Sequence, residues 1–242
     1  MKRAVSLIGA LGALASLALA GCSSTGVGNP GKENGTLELG IVADDGGGDA
    51  EALPRTALEQ ASLVLARIEW QPCRAGEPPV LQEGPFIVDL LTGSTTPEIP
   101  LVDAPEGGLC GFDAPLGPAR DSAELAGRSL FFSGTRDDGV RFLLFADMRA
   151  TLRVQSGDGQ SWAIPEARRP LVWQMRPRRW AQRADLNDAT TSTWAGDRRI
   201  IRIDVNRHPL LFALIRARLG SESLLLDEQS GAELGAGSSD ED

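Results

Sequence analysis

The sequence predicts a mainly β fold, an antiparallel β-sandwich of the Greek-key type with one C-terminal α-helix. Several short segments alternate apolar and polar residues with a period of two, which is typical of half-buried strands. Glycine and proline separate these segments at short intervals, as they do in all-β domains. The chain of 242 residues is 42% hydrophobic, which is enough for a substantial core.

The first residues predict export. Lys2 and Arg3 precede an almost wholly apolar run, Ala4 to Ala20, and this is the layout of a signal peptide over residues 1–21. The run ends in Leu19-Ala20-Gly21-Cys22, which resembles the lipobox of bacterial lipoproteins.

The lipobox resemblance implies a lipid anchor on Cys22. In that family the signal is cut before the cysteine, whose sulfur carries a diacylglyceryl group and whose amine usually carries a further acyl chain such as palmitate. Two or more acyl chains hold a protein stably on a bilayer. Ser23 stands where lipoproteins of the inner membrane often carry aspartate, so the same resemblance favours the outer membrane.

A flexible acidic linker is predicted over residues 22–57. Residues 23–52 are rich in Gly, Ser, Asn, Asp and Pro, and Lys32 is their only basic residue. Such a composition is typical of a tether rather than of a packed core. About 30 flexible residues reach roughly 30 Å, which would hold the following domain clear of a membrane.

The domain itself is predicted over residues 58–226. Ser62 to Trp70 alternates clearly, and Arg136-Asp137-Asp138-Gly139 is a hairpin turn between two β-prone runs. Residues 177–197, which are rich in Arg and Trp, show no clear helix or strand pattern. The remaining predicted strands are Phe86–Leu91, Ile99–Val102, Leu109–Phe112, Ser129–Ser133, Val140–Phe145, Thr151–Gln155, Ser161–Ile164, Leu171–Met175, Arg199–Val205 and Leu224–Leu226.

One helix is predicted near the end of the domain. Pro209 suits its first position, Arg216 and Arg218 complement its last carbonyls, and Gly220 ends it. Because this segment is almost entirely apolar, we expect the helix to pack against the sheet. Residues 220–242 contain seven acidic residues and no basic one, so residues 227–242 are predicted to be a disordered acidic tail.

Cys73 and Cys110 predict a disulfide. They are the two cysteines outside the signal region, and an exported domain meets an oxidising compartment. The alternative is a redox or metal pair, but the sequence has no CxxC spacing and no histidine near either cysteine.

The residue inventory argues against most catalytic chemistry. His208 is the only histidine and precedes Pro209, so a capping or packing role is expected rather than a catalytic triad. The body has no lysine, which excludes Ser–Lys and Schiff-base mechanisms. A carboxylate-based hydrolase remains as an alternative, and its candidate residues near turns are Asp137, Asp138, Asp147 and Asp158.

No cofactor is predicted, and calcium is the one ion for which the sequence offers ligands. Asp44–Asp49 and residues 227–233 combine carboxylates with glycine, although neither has the spacing of an EF-hand loop. Both are interpreted first as flexible acidic segments.

A cluster of tryptophan and arginine residues is the candidate ligand-binding site. Arginine grips phosphates and carboxylates, and exposed tryptophan stacks on sugars, so envelope glycans or lipopolysaccharide are plausible ligands. The alternative is that the tryptophans belong to the core and the arginines pair with nearby aspartates. The cluster consists of Trp173, Arg176, Arg178, Arg179, Trp180, Arg183 and Trp194.

These patterns together favour a non-enzymatic lipoprotein of the cell envelope that binds or scaffolds another molecule. Over residues 58–226 the pattern resembles β-sandwich domains of unknown function in secreted bacterial lipoproteins, including transthyretin-like and carbohydrate-binding-like sandwiches. The expected partners are the lipid bilayer and an envelope glycan or protein. Nucleic acid is not expected, because the charge of the body is balanced and the chain is exported.

Overall fold

The computed structural model describes residues 34–43, 57–119, 122, 125, 127–136, 138–177, 192–195, 198–219 and 223–241. These belong to one compact unit, Gly31–Asp242. The described residues of the unit are mainly β, and they include a short helix, α1 (Pro209–Arg218). The strands are β1 (Thr36–Ala43), β2 (Ala57–Pro72), β3 (Val80–Asp89), β4 (Thr95–Thr96), β5 (Val102–Asp103), β6 (Leu109–Pro115), β7 (Leu130–Thr135), β8 (Arg141–Ala146), β9 (Ala150–Ser156), β10 (Arg168–Met175), β11 (Ser192–Ala195), β12 (Arg198–Ile203), β13 (Leu224–Asp227) and β14 (Glu233–Glu241).

The strands form one curled, mixed sheet. Its order is β11-β12-β8-β7-β2-β6-β9-β14-β13-β10-β1-β5, and β3 pairs with β2 and β4 beside this path. The pairs β1–β10 and β8–β12 are parallel, so the sheet is not purely antiparallel as predicted. Local turn signals reveal hairpins, whereas a parallel pair joins segments that are far apart in the sequence.

The long strand β2 organises the sheet. Residues 57–63 pair with β7, residues 62–70 pair with β3 on the other edge, and residues 69–72 pair with β6. Its register shifts between Leu58 and Gln60, between Leu65 and Arg67, and at Pro72. Such bulges bend a strand, so β2 can follow the curl of the sheet and join its two halves.

The centre of the main core is aromatic. Phe112 is fully buried, and its ring centroid lies 5.2 Å from that of Trp70, 6.2 Å from Trp162 and 4.9 Å from Trp173. One continuous core cluster draws residues from strands along the whole sheet, including Leu37 of β1 and Ile203 of β12. The curl therefore encloses a shared interior.

A second, smaller core lies on the outer face of β2 and β7. Val64 and Phe131 pack there with Ala119 and Leu125, which belong to the β6–β7 connection. The Arg128 guanidinium lies 3.9 Å from the centroid of the Phe145 ring, which is a cation–π contact at the rim. The β6–β7 connection thus covers apolar residues that the sheet leaves on its outside.

The clearest sequence signals are confirmed. The predicted hairpin is β7–β8, with Gly139 at φ +78° in its turn. The helix begins at Pro209 and carries Arg216 and Arg218 in its last turn. Phe212 and Ile215 bury against the main core, as the apolar helix sequence predicts.

Both predicted flanking segments contain strand, and these two predictions are wrong. Residues 36–43, within the predicted linker, form β1, and Leu37, Leu39 and Ile41 point into the core at alternate positions. Residues 233–241, within the predicted acidic tail, form β14 between β9 and β13. The sequence of β14 is weakly β-prone, so its neighbours on both edges, rather than intrinsic propensity, make it a strand.

The predicted strand Ser161–Ile164 is also wrong. Ser161 Oγ accepts a bond from the Ala163 amide at 3.1 Å, which is a local turn. Trp162 is 2% exposed and anchors this turn in the core, and its amide bonds to the Leu109 carbonyl at 2.8 Å. The apolar content of the segment therefore reflects one buried indole rather than a strand.

Candidate functional site

An open groove of about 540 Å³ lies beside β9 and β14, and we call it the β9–β14 groove. Its walls come from the turn after β9, from the start of β14 and from one residue of β10. The lining residues are Ser156, Gly157, Asp158, Gln160, Ser161, Arg169, Glu233, Leu234, Gly235 and Ala236.

Asp158 shapes the turn that forms one wall. Its Oδ1 accepts bonds from the Ser156 hydroxyl at 2.7 Å and from the Gln160 amide at 2.9 Å. The Gln160 amide, followed by the Ser156 hydroxyl, holds the pKa of the Asp158 carboxyl below its usual range. Asp158 is therefore ionised at the mouth of the groove, and Gly159 takes the positive φ of +70° that the turn needs.

Arg169 contributes a largely buried positive charge to the groove. Its side chain is 17% exposed, its Nε donates to Asp227 Oδ2 at 2.7 Å, and its Nη1 donates to the Trp162 carbonyl at 2.8 Å. These bonds fix the guanidinium between β10, the end of β13 and the turn that contains Trp162.

Asp227 is the buried partner of this arginine. Its Oδ1 accepts the amides of Gln229 and Ser230 and the Ser230 hydroxyl at 2.8–3.1 Å. The Ser230 amide first, and the Arg169 side chain next, lower the pKa of Asp227 to about 2. Both oxygens of this carboxylate accept protein donors, including the Arg169 guanidinium, so this arrangement does not support the calcium interpretation of residues 227–233. The other acidic segment, Asp44–Asp49, lies outside the described residues.

The disulfide lies beside the turn that forms one wall of the groove. Cys73 and Cys110 are bonded with their Cα atoms 4.9 Å apart, which confirms the predicted pair. Cys110 Sγ lies 3.2 Å from the Gly159 carbonyl oxygen, in the turn of Asp158. Gly108, at φ +75°, lies so close to Ser161 that any Cβ there would collide with the serine side chain. The disulfide therefore joins the chain just after β2 to β6, and its Cys110 sulfur contacts the turn that forms one wall of the groove.

The groove has the chemistry of a binding surface for a hydroxyl-rich ligand. It combines carboxylates of Asp158 and Glu233, the guanidinium of Arg169, and serine hydroxyls with a glutamine amide. These groups donate and accept hydrogen bonds in several directions, which is what sugar hydroxyls require. Among the described residues, no group of three or more His, Cys, Asp or Glu side chains is placed to hold a metal ion.

The Trp/Arg cluster divides between the core and residues that the structure does not describe. Trp173 is fully buried against Phe112, so its ring faces are not available to stack on a ligand. Arg176 follows β10 and donates to Gln174 Oε1 at 3.3 Å. For Trp194 only the backbone is described, in β11. The remaining members, Arg178, Arg179, Trp180 and Arg183, lie outside the described residues, as does Cys22.

Two of the carboxylates proposed for a hydrolase, Asp138 and Asp147, lie too far apart to act in one site. Asp138 and Asp147 flank opposite ends of β8, a strand of six residues, which separates them by roughly 20 Å. Glycosidase carboxyl groups lie within about 10 Å of each other. Asp138 instead accepts the Val140 amide at 3.1 Å and an Arg136 bond at 2.6 Å, and Asp137 lies outside the described residues.

His208 lies at the N-cap of α1 but makes no side-chain capping bond. Its Nε2 is buried without a hydrogen-bond partner. In the turn before the helix, the Asp204 carboxylate accepts the amides of Asn206 and Arg207, both at 2.9 Å. The side chain therefore does not cap the helix, and packing stays a prediction for the ring.

No family model, curated protein or solved structure is significantly similar to the chain. In the part of the chain that the structure describes, no helix has the length and apolarity needed to cross a bilayer.

The sequence does not indicate the groove. Asp158 is expected near a turn, Arg169 lies outside every predicted strand, and Glu233 lies in the predicted acidic tail. Their proximity depends on the pairing of β14 with β9, which no local pattern indicates.

Proposed function

We propose that this protein is a lipid-anchored, non-enzymatic binding module of the bacterial cell envelope, and that the β9–β14 groove is its binding surface. The lipobox-like residues 19–22 supply the anchor in this proposal. The curled sheet supplies a rigid sandwich-like support, since one core cluster fills the space that it encloses.

The disulfide is the observation that carries this proposal. Disulfides persist in oxidising compartments and are rare in the cytosol, so the Cys73–Cys110 bond supports export. The same bond contacts the wall of the groove, since Cys110 Sγ lies 3.2 Å from the Gly159 carbonyl oxygen. One feature thus supports both the proposed export and the proposed binding surface.

The anchor is tested on the full chain expressed in a double-membraned bacterium. The mature protein should begin at Cys22 and have the mass of the triacylated form, and it should fractionate with membranes. Cys22→Ala should remove the added mass and the membrane fractionation. A Ser23→Ala variant is the matched control and should stay acylated. An unmodified Cys22 in the exported wild-type protein would overturn the anchor.

The lowered pKa of Asp158, one of the two carboxyl groups that line the groove, favours binding over hydrolysis at this residue. Hydrolysis of a glycoside needs a carboxylic acid with a raised pKa as proton donor. The groove carboxylate Asp158 has a lowered pKa, as does Asp227 behind Arg169. Ionised carboxylates and a fixed guanidinium accept and donate hydrogen bonds to a ligand without transferring a proton to it.

The ligand class we propose for the groove is an envelope glycan. Peptidoglycan fragments, lipopolysaccharide and simple oligosaccharides are the probes, and thermal stability of Gly31–Asp242 is the first readout. A ligand at about 100 times its dissociation constant adds roughly 2.7 kcal/mol to the free energy of unfolding. Gln160→Ala and Glu233→Gln should reduce this shift because both side chains line the groove.

The control variant is Glu98→Gln, at an exposed position that does not line the groove. It should leave ligand binding unchanged. A ligand shift that survives both groove substitutions would contradict the assignment of the groove, and turnover of any probe would contradict a non-enzymatic role.

A further inference from the structure

Three charged side chains line the β9–β14 groove, those of Asp158, Arg169 and Glu233. The positive charge of Arg169 is already matched inside the protein, because its Nε donates to Asp227 Oδ2 at 2.7 Å in a largely buried pair. The charge that the groove presents to a ligand therefore depends on its two carboxylates.

These two carboxylates have no partner of opposite charge among the described residues. Asp158 is exposed and accepts bonds from two uncharged donors, the Ser156 hydroxyl and the Gln160 amide. Glu233 is also exposed, and its side chain makes neither an ion pair nor a hydrogen bond with a described residue. Both negative charges thus remain available at the surface of the groove.

The surrounding elements do not supply a free positive charge. Arg153 of β9 pairs with Asp113, and Arg168 of β10 pairs with Glu38. Strands β1, β6, β13 and β14 contain no basic residue, and neither do residues 157–167, which join β9 to β10. The groove therefore has an excess of negative charge, which favours a ligand that carries a positive group.

The uncharged groups of the groove suit a ligand that also carries hydroxyls. Arg169 uses Nε and Nη1 within the protein, whereas its Nη2 hydrogen bonds with no described residue. This nitrogen can donate to a sugar oxygen, and the lining hydroxyls of Ser156 and Ser161 can donate or accept. An amino sugar with a free amine combines both requirements, a cation and several oxygen atoms.

We propose that the β9–β14 groove selects glycans whose sugars carry free amino groups. The ammonium group lies against Asp158 and Glu233, and the hydroxyls of the sugar bond to Arg169 and to the lining serines. This inference rests on the proposed glycan-binding role of the groove and names the ligand class within it. An N-acetylated sugar of the same ring has no charge to match the carboxylates, and a phosphate-bearing sugar adds a like charge.

The test compares two ligands that differ in charge and share their sugar ring, a glucosamine tetramer and an N-acetylglucosamine tetramer. Binding to Gly31–Asp242, the compact unit, is measured by titration calorimetry at about pH 6, where an amine comparable to an α-amino group is protonated. We expect the glucosamine tetramer to bind about fivefold more tightly at low salt, since exposed ion pairs are individually weak. The preference should shrink as the salt concentration rises.

Substitution of the carboxylates by amides tests the source of the preference. Asp158→Asn and Glu233→Gln should each reduce it, and the double variant should bind both tetramers equally. Asparagine at position 158 keeps an oxygen acceptor for the bonds of the turn. Glu98→Gln removes the same charge at an exposed position outside the groove and should keep the full preference. Circular dichroism of every variant checks that the fold is unchanged.

Several outcomes would overturn the proposal: equal binding of the two tetramers, tighter binding of the N-acetylated one, binding of neither, or a preference that survives in the double variant. Spermidine is tested as an amine without a sugar. If it binds as tightly as the glucosamine tetramer, the carboxylates form a general cation surface and the glycan assignment is wrong. A neutral oligosaccharide that stabilises the wild type through the groove would leave the proposed function standing when the amine preference fails.

Discussion

Arg169 joins two segments that are far apart in the chain, because its Nε donates to Asp227 Oδ2 at 2.7 Å. The pair is largely buried, with side chains 17% and 10% exposed. The remaining bonds of Asp227 come from the turn at Ser230, and a further bond of Arg169 goes to the Trp162 carbonyl. Each member of the ion pair therefore has hydrogen bonds besides the one to its partner. A buried ion pair is tolerated when such additional bonds are present.

Asp227→Asn is expected to lower the free energy of unfolding at pH 7 by about 2 kcal/mol. The folded pKa of about 2 lies below the ordinary value of 3.8, so this contribution is present above pH 4 and is lost as the pH falls through 2. Chemical denaturation of both proteins between pH 7 and pH 2 measures it. The difference between them should shrink over pH 4 to 2. The exposed neighbour Glu228 provides the control, and Glu228→Gln should change stability by less than about 0.5 kcal/mol.

Reduction of the Cys73–Cys110 bond is expected to destabilise the domain by about 4 kcal/mol. The bond spans 37 residues, and this figure is the entropy that such a crosslink removes from the unfolded chain. Guanidinium denaturation with and without dithiothreitol measures the loss. The double variant Cys73→Ala, Cys110→Ala should match the reduced wild type and be insensitive to dithiothreitol. Equal stability of the oxidised and reduced wild type would contradict this expectation.

Gly235→Ala is expected to destabilise the domain by about 1–3 kcal/mol. Gly235 is buried in β14, and a Cβ there would collide with the backbone carbonyl of Gln155 in β9. Thermal denaturation of the variant and of Ala236→Ser, a change at the exposed neighbouring position, provides the comparison. The serine variant should melt near the wild type. If both variants melt together, β14 does not pack against β9 as described.

Phe112→Ala is expected to cost about 3–5 kcal/mol, because it removes the ring that three tryptophans contact. The cavity should also let water reach these indoles and shift tryptophan emission to longer wavelength. Phe145→Ala is the control, since this ring lies at the rim of the smaller core. It should have a smaller effect on stability and leave the emission of the buried indoles unchanged.

Local signals in the sequence predicted local structure well. Asp138-Gly139 marks the β7–β8 turn because Gly139 takes a positive φ that other residues avoid. Pro209 marks the start of α1. Proline has no backbone N–H, and the N–H of the first helical residue has no partner within the helix in any case. Cys73 and Cys110 predicted their bond because they were the only pair in the body. Each of these inferences depends on a few residues in one place.

The arrangement of the strands was harder to predict because it depends on distant partners. Glu38 and Arg168 meet through an ion pair on β1 and β10, although β1 lies in a segment whose overall composition is that of a linker. The glycines and serines of β14 show no alternation, and only its neighbours β9 and β13 make it a strand. Trp173 was assigned to a ligand site because composition alone does not distinguish a buried indole from an exposed one.

The pairing of β1 with β10 also affects the rate at which the chain folds. Thr36 finds its neighbour Arg168 only after most of the domain has been synthesised, and β9 gains a second neighbour only when Gly235 and the residues after it are present. Contacts of such long sequence separation slow folding, because the chain loses the entropy of large loops before they form. A nascent chain of this topology stays open for longer than a chain of hairpins does. For a protein that is threaded across a membrane before it folds, as we propose here, that delay keeps the chain in a transportable state.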